Sequence, residues 1–219
     1  MDSQEVKQYQ QRKMASFSRM AAEEMVPILV DELNPQSVLD VGCGFGEWLE
    51  EFKKRDVQTV VGVDGEYIVP ELTGNEVFRF IPTDLEKPFD LSQKFDLVMS
   101  IEVGEHLKRE SADSFIESLC KHSDNILFSA AVPGQEGIHH VNEEWPMYWI
   151  EKFKSQGYFC YDYFRWKIWD SMKVAASYKN NILFFSKTPN LFPNSEFRFV
   201  IHPELYAIKR GVYLNGKGF

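Results

Sequence analysis

Cysteine and positive charge are both scarce in this chain. Its three cysteines, Cys43, Cys120 and Cys160, are widely scattered among 219 residues. An odd, dispersed set has neither disulfide-framework nor zinc-site spacing, and it fits reduced thiols in a cytoplasmic setting. Lys and Arg total 24 against 33 Asp and Glu, a formal net charge of −9. A long phosphate backbone is therefore a poor main partner, and nucleic acid is not expected. No run approaches the ~20 apolar residues of a membrane span, and the polar N-terminus lacks a signal peptide's apolar stretch. Repeats and low-complexity tracts are missing as well. What the chain does have is 44% hydrophobic and 15% aromatic residues. That supports a sizeable core in one α/β domain with trimmings, whereas two full domains would be cramped.

Residues from Ser3 to about Leu33 read as helical. Met14, Phe17, Met20, Ala21, Met25, Ile28 and Leu29 recur at three- and four-residue spacings. Pro27 is expected to split the stretch into two helices. Strand-like runs then follow at Val38–Val41, Thr59–Val63, Val77–Ile81, Phe95–Ile101, Asn125–Ala130, Tyr158–Tyr163 and Asn181–Ser186. Helices are expected over Gly46–Arg55, Gly104–Lys121 and Pro146–Gln156. This alternation predicts a Rossmann-like α/β fold, a mainly parallel sheet with helices on both faces and an antiparallel finish. The expected division is an N-terminal helical cap over 1–35, the main domain over 36–187, and an irregular packed tail over 188–219.

The most informative run is Ser37-Val38-Leu39-Asp40-Val41-Gly42-Cys43-Gly44-Phe45-Gly46-Glu47-Trp48. It reads as a buried strand, a glycine turn and the first turn of a helix. Alternate glycines let backbone pass close to a ligand, and amides at the helix start face it. About 20 residues on, Val60-Val61-Gly62-Val63-Asp64-Gly65 is a second apolar strand ending in an acid. That is where a carboxylate grips a ribose diol.

The D-x-G-x-G-x-G pattern resembles motif I of the class I S-adenosylmethionine-dependent methyltransferases. The resemblance covers roughly Ser37 to Ser186, is strongest up to His106, and implies a seven-stranded sheet. It also implies a cofactor pocket built from Asp40, Gly42, Cys43, Gly44, Gly46, Asp64, Gly65, Asp84, Leu85 and Ile101. Asp64 would hold the ribose, Asp84 the adenine amino group with Leu85 beside it, and Asp40 would face the sulfonium end. A capping role for Asp84 in the turn before Pro88 is the alternative.

Glu102-Val103-Gly104-Glu105-His106 follows the fourth strand. If it opens a helix, Glu102, Glu105 and His106 share one face at i, i+3 and i+4. Two carboxylates and an imidazole suit a divalent cation, Mg or Mn. E-x-x-E-H here resembles the metal motif of small-RNA 2′-O-methyltransferases and ubiquinone-pathway O-methyltransferases, and His140 is the candidate fourth ligand, with His139 its competitor. The alternative leaves His106 as a helix-start residue or a general base. Either device would activate an alcohol, so Glu105, His106 and His140 are the candidate catalytic residues. His122 and His202 read as surface or packing residues.

The segments Glu143–Trp149 and Phe164–Asp170 are unusually aromatic. Rings bordered by polar groups suit sugar faces, although Trp145, Tyr148, Trp149 and Phe153 at helical spacing also suit a core. H-V-N-E-x-W-P-x-Y-W followed by K-I-W-D resembles methyltransferases of surface-polysaccharide and glycan clusters. The expected acceptor is therefore a sugar hydroxyl of a glycan or its precursor, with Arg165, Lys167 and Asp170 at the acceptor mouth. A terminal RNA ribose or a small phenol is the alternative acceptor, and an inactive cofactor-binding subunit is the alternative of another class.

Overall fold

The computed structural model describes residues 3–68 and 76–211, with side chains from Ala15 onward. Met14 and the last eight residues of the expected tail, 212–219, lie outside what is described at side-chain level. Seven strands form one sheet: β1 (Ser37–Val41), β2 (Thr59–Asp64), β3 (Arg79–Pro82), β4 (Leu97–Ile101), β5 (Asn125–Ser129), β6 (Phe159–Tyr161) and β7 (Leu183–Ser186). Their order is β3-β2-β1-β4-β5-β7-β6. The first five pair in parallel, while β7 runs antiparallel to both β5 and β6. The expected Rossmann-like sheet and its antiparallel finish are both present.

The order reverses between β1 and β4, so the loops leaving those two strands part above and below the sheet and open a crevice there. Strand periodicity explains the two faces. Val38, Leu97, Met99 and Phe184 face one core together with Ala21, Met25 and Leu29 of α1 (Ser3–Leu33) and Trp48 and Phe52 of α2 (Glu47–Lys54). Leu39, Val41, Val98 and Phe185 point the other way. They meet Phe115 and Leu119 of α3 (Ala112–His122) and Trp149 and Phe153 of α4 (Pro146–Ser155). Fully burying each such large side chain contributes about 1.5–3 kcal/mol.

Three expectations need correction. Pro27 does not split α1, which runs unbroken through it. The carbonyl deprived of its N–H donor is that of Glu23, an exposed residue where water can serve instead. The helix expected over Gly104–Lys121 is broken into 3₁₀ turns at Gly104–His106 and Arg109–Ser111 before α3 begins. Two short helices, α5 (Phe164–Ile168) and α6 (Ala176–Asn181), fill the stretch between β6 and β7. Within the irregular tail, α7 (Pro203–Arg210) forms, with Pro203 at its start, His202 capping Glu204 N–H, and Gly211 left-handed at its end.

Candidate active site

The loop between β1 and α2 is locked to the second strand. The amides of Gly42 and Cys43 both donate to the Val63 carbonyl, at 2.8 and 3.2 Å. Gly42 has φ 82° and lies against Val103, where a Cβ would come within 2.3 Å of a methyl carbon. Gly44 is also left-handed (φ 51°), yet a Cβ there would meet nothing within 4 Å. The loop is thus pinned on its protein side and open on the other. Gly44 N–H donates to Asp64 Oδ2 at 2.9 Å, which ties the loop to the acid ending β2. Asp64 Oδ1 accepts from Gly65 N–H and from the Tyr67 hydroxyl, both at 2.7 Å.

Asp40 sits beneath this loop at the centre of the sheet. It is buried, and its Oδ2 has no hydrogen-bond partner among the described residues. Burial, then the charges of Asp64 and Glu47, push its pKa up to about 8. The Cys43 thiol is pushed far above its usual range, also chiefly by burial, so it is an inert core group. Gly46 starts α2 and Ile101 ends β4 half-buried. An open glycine edge, an acid at the end of β2 and an unpartnered carboxylate together fit an adenosyl cofactor with a cationic centre.

Asp84 lies exposed in the turn after β3, where it accepts from Glu86 N–H and pairs with Lys87, the capping arrangement weighed as its alternative. Those contacts hold its carboxyl below the usual carboxylate range. Leu85 is buried with Leu107 and Ile81 in the second core.

Beyond β4 the backbone turns through Glu102 at φ 54°. That left-handed residue prevents a helix from carrying Glu102, Glu105 and His106 on one face. Instead the Glu102 carboxylate accepts from Gln135 Nε2 at 2.8 Å and Asn181 Nδ2 at 3.0 Å. Glu102 is thereby a corrected expectation: it anchors the loop after β5 and stands outside the ligand cluster. Asn181 and Gln135 also bond each other at 2.8 Å, which closes the anchor.

Glu105, His106 and His140 do converge, with one ligand atom from each lying within 4.8 Å of the others. The two imidazoles are edge to face, their centroids 4.9 Å apart. Glu105 is wholly buried, and neither carboxylate oxygen has a hydrogen-bond partner among the described residues. The amides of Glu105 and Ala131 draw its pKa down. Burial and the nearby Glu102 charge outweigh them and hold the pKa well above the usual range. His106 presents an open edge, and its pKa is lowered by partial burial and then by His140. His140 Nδ1 lies 2.8 Å from Glu143 Oε1, and Gly134 N–H donates to the other Glu143 oxygen at 2.8 Å. The loop is held over the turn by Val141 and Asn142 amides, both donating to the Glu105 carbonyl. His139 is exposed and outside the cluster.

A first-row divalent ion bound at about 2.0–2.2 Å holds its ligands roughly 3–4 Å apart. A spread of 4.8 Å is close enough for rotamer changes to close it, and two imidazoles with a bare carboxylate suit such an ion. The donor set therefore fits a metal.

The aromatic segments divide. Trp149 and Phe153 are core, Tyr148 lies between Arg109 and Lys152, and Trp145 stays 43% exposed against Phe199. Arg165 is not at a mouth: it is buried on Asp162. Lys167 instead pairs with Glu32 of α1. His122 and His202 are packing residues whose ring nitrogens serve Leu91 N–H and Glu204 N–H.

Sequence reasoning missed Tyr67, Gln135, Glu143 and Asn181 as members of the site. Glu143 carried a signal, three residues from His140; Asn181 carried none, being brought in by α6.

A family model described as a methyltransferase domain matches residues 7–162. No curated protein matches the chain in sequence. Among solved structures, DesVI of Streptomyces venezuelae is 14% identical, with a TM-score of 0.65 over 86% of this chain and 99% of that one. CalS10 of Micromonospora echinaspora, an amino pentose methyltransferase, is 16% identical with a TM-score of 0.60 over 86% and 98%. The methyltransferase domain of bacterial CtHen1-C is 16% identical with a TM-score of 0.57 over 76% and 98%. At these identities the likeness is one of fold.

Proposed function

The chain belongs to the methyltransferase-domain family, and from that premise we propose that it is an S-adenosylmethionine-dependent O-methyltransferase of a sugar hydroxyl, assisted by a divalent cation. The observation that carries the reading is the unpartnered Glu105 carboxylate beside His106 and His140 at the C-terminal end of β4. An alcohol is a poor nucleophile until its proton is removed or shared, and a cluster of this kind serves that need. The amino pentose substrate of CalS10 and the exposed Trp145–Phe199 pair support a sugar acceptor. The net charge of −9 weighs against an RNA chain.

When bound, S-adenosylmethionine supplies an electrophilic methyl group on a cationic sulfur. Asp64 would accept from its ribose and the Gly44 edge would let it approach without a Cβ in the way. Asp40, unpartnered below the loop, gains from a nearby positive charge, which favours its ionised form. A metal held by Glu105, His106 and His140 would lower the pKa of a coordinated hydroxyl. If no metal is held, His106 would instead take the acceptor's proton at its open edge, its lowered pKa favouring the neutral ring. Glu143 holds the His140 ring in one orientation and fixes which nitrogen faces the cluster. Holding both reactants together then contributes through proximity.

The test is a methyl-transfer screen against mono- and oligosaccharides, read by mass, with Mg²⁺, Mn²⁺ or EDTA present. Transfer to a sugar that EDTA abolishes is the expected result. Transfer that EDTA leaves untouched removes the metal, and transfer only to RNA ends or phenols removes the sugar.

A further inference from the structure

Asp64 already holds more hydrogen bonds than a ribose-binding acid can spare. A carboxylate offers about four acceptor positions, two on each oxygen. On Oδ1 both are taken, by Gly65 N–H and by the Tyr67 hydroxyl, each at 2.7 Å. On Oδ2 one is taken by Gly44 N–H at 2.9 Å. One position is left among the described residues, whereas a ribose diol brings two hydroxyls.

We infer that the Tyr67 phenol competes with the cofactor's ribose for Asp64 and thereby sets cofactor affinity, an inference that rests on the ribose-binding reading above. The other two donors cannot yield. Gly65 N–H belongs to the residue adjoining Asp64, and the Gly44 loop is held through Gly42 and Cys43 on the Val63 carbonyl. Tyr67 can yield. It stands on a single 3₁₀ turn, Glu66–Ile68, and is 71% exposed. Its ring lies over Gly65 so closely that a Cβ there would come within 2.5 Å of Cε1. The bare α-carbon of Gly65 is what allows the phenol to reach the acid. A phenol released from Asp64 turns to water nearby, so ribose binding exchanges one hydrogen bond for another and gains less than it would at a free carboxylate.

The experiment is calorimetric titration of S-adenosylhomocysteine into the wild-type protein, Tyr67→Phe and Asp64→Asn. Tyr67→Phe keeps the ring and deletes the competing hydroxyl, so its Kd is expected to fall about three- to tenfold. Asp64→Asn is expected to bind much more weakly than either. An unchanged or raised Kd in Tyr67→Phe, with wild-type binding intact, overturns the competition alone. No binding in either wild type or Tyr67→Phe overturns the cofactor reading and this inference with it. A melting scan without ligand checks that Tyr67→Phe is as well folded as wild type.

Discussion

Two buried charged regions of this molecule are built to opposite rules. Around Arg165 every charge is answered. Its guanidinium donates to both oxygens of Asp162, to the Asn180 carbonyl and to the Arg198 carbonyl. Asp162 in turn accepts from Arg198 N–H, so the tail is strapped to the sheet through one saturated ion pair. At the ends of β1 and β4 carboxyl oxygens go unanswered among the described residues. Glu105 has two such atoms and Asp40 one. Leaving buried polar atoms unpaired costs stability, about 1–3 kcal/mol each and more for charged groups. Saturation marks a region that holds the fold together, and deliberate lack of it marks a region waiting for ligands.

The comparison breaks most visibly at the ion pair. Asp162→Ala leaves Arg165 buried without a partner and should cost about 3–5 kcal/mol in denaturant unfolding. A loss below about 1 kcal/mol would show that the strap carries no load. At the other region the expected order is reversed, with function lost and stability kept. Glu105→Gln should lower turnover by about 100-fold or more while cofactor affinity, read by calorimetry, stays within about twofold. Equal loss of both would make Glu105 a structural residue.

Asp40→Asn sharpens the contrast through pH. The folded pKa of Asp40, about 8, lies above its ordinary value near 4. The unfolded chain therefore releases this proton first, and wild-type stability falls as pH rises from about 4 to 8. Asparagine cannot ionise. The variant should match wild type near pH 4 and gain on it by about 1.4 kcal/mol per pH unit toward pH 8, measured by urea unfolding. Parallel pH profiles would refute the assignment. The smallest expected effect is at Glu143, which acts through His140. Glu143→Gln should weaken Mn²⁺ binding about tenfold in a titration of the protein, and an unchanged Kd would separate Glu143 from the cluster.

Much of this was legible in the chain. Apolar runs at Val38–Val41 and Phe95–Ile101 announced buried strands, and Gly42, Gly44 and Gly46 announced a glycine turn, whose φ values are positive. Asp64 was readable because it ends a strand. Asp84 left two readings open, since a strand-end acid and an Asx turn look alike, and in the structure Lys87 and Glu86 N–H claim its carboxylate. Glu102 was placed among the ligands by helical spacing, and one residue at φ 54° removed it. His140 was found by its neighbours in sequence, whereas Asn181, which holds Glu102, comes from 79 positions away.

What the sequence determined by itself was the order of strands and helices, the glycine loop and the inventory of acids and imidazoles. These depend on local periodicity and on backbone geometry that neighbouring residues dictate. Which of those charges would be paired and which left bare was decided only by the tertiary structure. Pairing depends on atoms meeting across the sheet within about 3 Å, a condition on distance in space that spacing along the chain does not carry.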